Sequence, residues 1–295
     1  MFYSFLWFFF LYAFLGWCCE VCFAAVKNGR FVNRGFLNGP WCPIYGFGVC
    51  IVVLFLEPLR GNLALLFLGS VVLTSLLELV TGFALERLFH QKWWDYSGLP
   101  LNIGGYICLL FSLLWGAACV FVVDVLHPGV ARMVSAIPRP LGAALLGVLA
   151  CAMAVDLAAT VSTVLKLNQK LRRLDELAGR IKAASDELGE ALSDGTLSLT
   201  EKHAAARGRL EEAKAQLSGR LAEREADIRQ RHAAREKALQ RRQAALRELK
   251  AANEELLATY HFGQKRLLKA FPNMISTRHR EALEQMKQRL KDLKK

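Results

Sequence analysis

The sequence predicts an all-α protein: a polytopic membrane helical bundle of about five transmembrane helices, followed by a C-terminal cytoplasmic helical hairpin. Three observations carry that expectation. Five apolar runs fill residues 1–165, most of them near the ~20 residues a helix needs to cross a bilayer. Charge is divided between the halves: residues 1–165 hold 8 Lys/Arg and 7 Asp/Glu, and residues 166–295 hold 30 and 19. The second half is rich in Ala, Leu, Glu, Arg and Lys with apolar residues three or four apart, the pattern of long polar helices.

The runs fall near 3–25, 43–59, 63–85, 106–126 and 140–164. The first starts at Phe2 with no basic residue ahead of it and runs too long for a signal-peptide core, which reads as a retained membrane helix. The second is short and opens on Pro43, Gly46 and Gly48, so a tilted or partly re-entrant element is expected there, its freed backbone groups satisfied by protein or water. All eight Cys lie in residues 1–165, which argues against a disulfide framework. Cys18, Cys19 and Cys22 suggest thiolates one helical turn apart, yet no His or further Cys completes a tetrahedral set nearby, and packing as small apolar residues accounts for them. No metal or cofactor is expected.

Orientation follows from the positive charges of the short loops. Lys27, Arg30 and Arg34 in loop 27–42, Arg87 and Lys92 in loop 86–105, and the basic tail all fall on one side when the N-terminus is outside and the tail cytoplasmic.

Acids inside apolar runs are what hydropathy leaves unexplained. Glu20, Glu78 and Asp156 each cost at least ~2.5 kcal/mol at a bilayer centre by insertion scales, so such groups face the bundle interior and are paired, protonated or wetted. Glu57, Glu86 and Asp124 sit at or near span ends and read as solvated interfacial acids. Glu86 remains a pathway candidate because Glu78, Thr81, Gly82 and Glu86 lie along one helix stripe, which helix packing through small residues also explains.

Two loops carry the remaining candidates. Residues 33–48, NRGFLNGPWCPIYGFG, hold four Gly and two Pro and specify a compact, turn-rich approach to the second run. Asn33, Arg34, Asn38 and Tyr45 add hydrogen-bonding groups. Residues 90–109, HQKWWDYSGLPLNIGGYICL, set Asp95 and Asn102 among Trp93, Trp94 and Tyr96; an interfacial aromatic belt explains the Trp pair but not the Asp beside it. On the topology above both loops face the cytoplasm, and with Glu20 and Glu78 they are expected to line one polar pocket.

The stretches Gly16-Trp17 with Glu20, FVNRGFLNGPWCPIYGFG at 31–48, LELVTGFALERLFHQKWWDYS at 77–97 and NIGGYICLLFSLLWG at 102–116 resemble the CmpB-like family of bacterial ABC-transporter type IV permeases. The tail stretches at 188–202 and 266–287 are also similar to such proteins. The resemblance implies a multi-pass protein of the bacterial cytoplasmic membrane. It transfers no residue roles. A transporter of that class needs an ATPase, and no G-x-x-x-x-G-K-[ST] phosphate loop occurs in this chain, so the ATPase is expected as a separate subunit.

The domain division expected is 1–165 transmembrane bundle, 166–259 helical hairpin or coiled-coil-like region, and 260–295 basic helical module. Leu171, Leu174, Ala178, Ile181, Ser185, Leu188 and Leu192 keep heptad-like spacing; Asp194-Gly195-Thr196 signals a turn, and Ser198 with Glu201 a capping box. Leu210, Leu217, Leu221, Ile228, Leu239, Leu246, Leu249 and Leu257 stripe the next helix. Lys and Arg along the tail are first of all a solvated helix face, and they suit anionic lipid headgroups. Little aromatic stacking surface disfavours nucleic acid, and oligomerisation is left open.

A transporter component with a site drawn from Glu20, Asn33, Arg34, Tyr45, Glu78, Glu86, Trp93, Trp94, Asp95, Asn102 and Asp156 is the leading expectation. A membrane scaffold or sensor whose cytoplasmic helices bind a partner protein is the alternative. A membrane enzyme using Glu78 or Asp95 with His90 lacks any supporting constellation, and no catalytic residue is expected.

Overall fold

The computed structural model describes residues 2–209, 218–261 and 263–292. It is almost wholly helical: α1 (Phe2–Asn28), α2 (Pro43–Leu56), α3 (Leu63–Phe89), α4 (Leu109–Phe121), α5 (His127–Ser135), α6 (Arg139–Arg209), α7 (Ser218–Ala258), α8 (Gln264–Ala270) and α9 (Arg280–Asp292). The strands are two-residue pieces: β1 (Gln91–Lys92), β2 (Asn102–Ile103), β3 (Ile107–Cys108) and β4 (Ile275–Ser276). β2 pairs with β3 as a small hairpin, and β1 pairs antiparallel with the distant β4, Gln91 opposite Ser276 and Lys92 opposite Ile275.

An all-α membrane bundle is what the apolar runs produce. Four helices among the described residues are long and apolar enough to cross a membrane: Phe2–Lys27, Leu63–Phe89, Leu109–Ser135 and Arg139–Ser193. The second expected run is a shorter apolar helix, Pro43–Leu59. At 1.5 Å per residue it reaches only about 25 Å, short of the ~30 Å hydrocarbon core.

α1 and α2 cross closely because glycines face each other's side chains. A Cβ on Gly46 would lie 2.5 Å from the Phe9 carbonyl oxygen, and one on Gly16 would overlap the Tyr45 ring. Without an aqueous driving force between helices, such close backbone approach is what holds them. The aromatic N-terminal turns of α1 (Trp7, Phe8, Phe10, Tyr12) pack with Val134 of α5 and Leu146 of α6 into one buried cluster. A second cluster joins Val52, Val53 and Leu56 of α2, Leu66 of α3, and Cys119 and Val123.

α3 begins on an Asn62 cap, whose side chain accepts from Leu65 N at 3.2 Å, and ends where His90 takes a left-handed conformation. The third crossing is interrupted at Val122–Leu126 by a π-helical turn just before Pro128. Proline lacks the N–H and clashes with the preceding turn, which the wider turn relieves. Arg60 pairs with Asp124 at 3.0 Å beside that turn.

The chain divides into two compact units, Met1–Leu171 with Tyr260–Lys295, and Arg172–Thr259. In the second, α6 continues unbroken through Asp194–Thr196, where a turn is expected from the sequence. One glycine costs a helix only ~1 kcal/mol, and the Ala, Leu, Glu and Lys around it outweigh that. The side chains of Ser198, Glu201, Leu221 and Ile228, and the positions of Leu210 and Leu217, lie outside the described residues. On α7, Leu239, Gln243, Leu246, Leu249, Asn253 and Leu256 are half-buried at spacings of three or four, and Leu257 is buried; the other side chains described along it are exposed.

Candidate functional site

Loops 29–42 and 90–108 come together at one end of the bundle. The first is irregular, as its Gly and Pro content dictates, and its own side chains hold it. The Asn33 carboxamide oxygen accepts from Trp17 Nε1 at 2.8 Å and from Gly35 N at 3.0 Å, while its Nδ2 donates to Asn38 O at 2.7 Å.

Asp156 and Arg266 then grip the loop by its backbone. The Asp156 carboxylate accepts from Asn38 N (2.9 Å), Asn38 Nδ2 (2.9 Å), Gly39 N (2.7 Å) and Trp41 Nε1 (3.2 Å). The Arg266 guanidinium, on α8, donates to Gly35 O at 2.8 Å and Phe36 O at 2.9 Å. An anion takes the loop's N–H groups and a cation its carbonyls, the polarity that charge-assisted hydrogen bonds require. Burial pushes the Arg266 guanidinium below its ordinary value, and nearby Asp156 pulls it back.

With the loop fixed, Arg34 reaches Glu20: Nε lies 3.4 Å from Oε2, both side chains about a quarter to a third exposed. Tyr45 donates to the other Glu20 oxygen at 2.6 Å. Deeper in the bundle, Tyr96 donates to Glu78 Oε1 at 3.1 Å. Glu78 is only 8% exposed, and its second oxygen has no hydrogen-bond partner. Tyr96 stacks on Phe111 at 4.8 Å and Tyr45 stands edge-on to Trp115 at 5.6 Å. Burial first, then the Glu78 carboxyl, pushes the Tyr96 phenol far above its ordinary value; Glu20 also contributes. Tyr96 therefore stays a donor, within electrostatic reach of both acids. Glu20, Arg34, Tyr45, Tyr96 and Glu78 form one polar file running from the loop end into the apolar bundle.

The other expected residues build the second loop. Tyr106 donates to Glu86 Oε2 at 2.5 Å, and Lys92 lies 3.8 Å from the same oxygen and 4.8 Å over the Tyr106 ring. The Glu86 hydrogen bond, with some burial, pushes the Tyr106 phenol up to about 12. Trp94 Nε1 donates to Tyr106 O, and Asn102 Nδ2 to Leu99 O, while Asn102 Oδ1 accepts from Gly105 N. Asp95 folds onto Ser97, accepting from its N–H and hydroxyl. Burial alone would raise Asp95, but the Ser97 bonds, then Lys92 and Arg280, hold it below its ordinary value. Trp93 is buried edge-on between Phe36 and Phe271, each at 5.0 Å.

Two contributors stand outside the residues singled out from sequence. Tyr96 is readable there only as one more interfacial aromatic. Arg266 carries no local signal, because its partners are 230 and 231 positions away. Among the described residues no group of three or more His, Cys, Asp or Glu is placed to hold a metal ion.

A bundle of long apolar helices with acids directed inward defines a polytopic integral membrane protein. The family described as "Putative ABC-transporter type IV" matches residues 7–161, and the chain belongs to that family. The matched span contains both loops, the polar file and Asp156; α7 and the module containing Arg266 lie beyond it. Comparison with curated proteins and with solved structures gives no match.

Proposed function

We propose that this chain is the membrane-spanning permease component of a transporter, with the polar file as its substrate or ion site and the loop end facing the cytoplasm of a bacterial cell. The observation that carries the reading is the file itself. Two carboxyl groups, an arginine and two tyrosines converge inside an apolar bundle, where each buried acid costs ~2.5 kcal/mol or more. Packing needs the glycines of α1 and α2 but not these acids. The family relationship supports an ABC-type system, and the lack of a phosphate-loop motif in this chain leaves ATP hydrolysis to a separate subunit. We assign no catalysis to this chain. The exposed Lys and Arg beside the loop end suit anionic headgroups of the inner leaflet.

The test is flux in proteoliposomes holding the full chain with any ATPase that co-purifies, screened over small cations, anions and amino acids. Glu78→Gln and Arg34→Ala each abolish flux on this reading, with the fold retained. Flux unchanged by Glu20→Gln and Glu78→Gln would remove the polar file from the pathway.

A second reading, a scaffold or sensor, draws on the long helix α7, whose half-buried stripe at Leu239, Leu246 and Leu249 lies among exposed charged residues. Capture of a partner by the full chain, lost when 172–259 is replaced by a short linker and kept in the file variants, selects it.

A further inference from the structure

The module formed by α8, β4 and α9 is bound into the same compact unit as the membrane bundle, though it follows an intervening unit of the chain. It grips both loops of the loop end. Arg266 holds Gly35 and Phe36 by their carbonyls. β4 pairs with β1, Thr277 N donates to His90 O, and Phe271 closes on Trp93.

Two features of this contact bear on whether it can open. First, the module has bonds of its own: Lys287 Nζ donates to Met274 O at 2.6 Å, and the Tyr260 hydroxyl donates to Met286 O at 3.2 Å. It can leave as a body. Second, two buried donors at the contact itself are unpartnered: Trp93 Nε1 on the loop side, in the slot that Phe271 closes, and Arg266 Nε on the module side. A buried unpaired polar atom pays its desolvation cost in the closed state and recovers it on opening.

We propose that the module of residues 260–261 and 263–292 forms a releasable strap, closed in this structure, which braces loop 29–42 and thereby fixes Arg34 against Glu20; release of the strap frees that loop and alters access to the polar file. The inference borrows its functional meaning from the permease reading. Its geometry does not depend on it. Within the same compact unit, Lys170 Nζ of α6 lies 4.5 Å over the ring of Tyr260, the first residue of the strap.

Cys42 is the reporter. It sits at the end of the braced loop, 6% exposed, with its N–H bonded to Ala13 O. In the full chain in vesicles, with the other cysteines replaced by Ser or Ala, modification of Cys42 by a small water-soluble maleimide is timed by mass spectrometry of its peptide. The lock is the pair Lys92→Cys with Ile275→Cys, which are direct antiparallel partners at a spacing a disulfide spans. The strap reading expects at least tenfold slower modification of Cys42 when the lock is oxidised than when it is reduced. It also expects at least tenfold faster modification in Arg266→Ala, reversed by the oxidised lock. Equal rates in oxidised and reduced forms overturn the strap, as does an Arg266→Ala rate equal to the parent or unresponsive to the lock. Should Arg266→Ala fail to fold, the oxidised-to-reduced comparison with Arg266 intact decides alone. Transport is not measured, so failure here leaves the permease reading standing, and failure of flux leaves the strap standing.

Discussion

Removing the Asp156 carboxylate tests what an acid inside a membrane helix is for. Its two oxygens accept from two backbone amides, a carboxamide and an indole, all on residues 38–41. Asp156→Ala strands those donors in a partly buried site. Hydrogen bonds to a charged group contribute about 1.5–3 kcal/mol each, though the losses do not add and water re-partners the outer donors, so a net loss of about 3–5 kcal/mol is expected. Asp156→Asn keeps one acceptor oxygen but turns an NH2 group toward donors, and should lose nearly as much. The assay is reversible unfolding of the reconstituted chain in mixed micelles with increasing SDS, followed by the fluorescence of Trp41 and its neighbours. Flux should fall only in proportion to the folded fraction, because Asp156 holds the loop rather than lining the file. A loss below about 1 kcal/mol in both variants would refute the latch, and abolished flux in a fully folded Asp156→Asn would move this residue into the pathway.

Glycine substitutions should divide sharply. Gly46→Ala sets a methyl against the Phe9 backbone oxygen, which cannot turn aside, and should destabilise by about 1–3 kcal/mol as overpacking. Gly147→Ala meets open space and should be neutral or stabilising in the same SDS titration. Trp93→Ala empties the slot between Phe36 and Phe271 and should cost about 3–5 kcal/mol, with faster amide exchange in residues 31–42 and 271–277. Tyr106 supplies the pH test. Its folded value near 12 lies above the ordinary 10.0, so the neutral phenol is the form the fold favours. That contribution is complete below pH 10 and lost as pH rises through 12. Glu86→Gln should bring the Tyr106 titration back toward 10, read from a ring-labelled tyrosine resonance; an unchanged titration would rule out the Glu86 hydrogen bond as its cause.

The spans were legible because a bilayer tolerates few polar groups, so hydropathy alone marks α1, α3, the α4–α5 crossing and the first half of α6. Glu20, Arg34 and Tyr45 lie within 25 positions of one another, close enough for the turn-rich loop between them to bring them together. Hydropathy flags Asp156 as costly without saying what offsets the cost, since its partners stand 115 to 118 positions away. Asp95 and Asn102 drew notice for their polarity among aromatics, yet they spend it on Ser97, Leu99 and Gly105. Local composition cannot separate a side chain that caps a turn from one that meets a ligand. The return of residues 260–295 to the loops had no signal at all. Two-residue strands lack periodicity, and one arginine among 38 Lys and Arg is not conspicuous.

The span of 231 positions between Gly35 and Arg266 also sets a clock on biogenesis. At synthesis rates of about 5–20 residues per second, roughly 10–50 s separate the emergence of the loop from that of its guanidinium. Every membrane helix precedes Arg266 in the chain, so insertion can run to completion while the loop end is still unfinished. A chain whose membrane helices are inserted but whose Arg266 has not yet emerged leaves Gly35 and Phe36 without the guanidinium that takes their carbonyls.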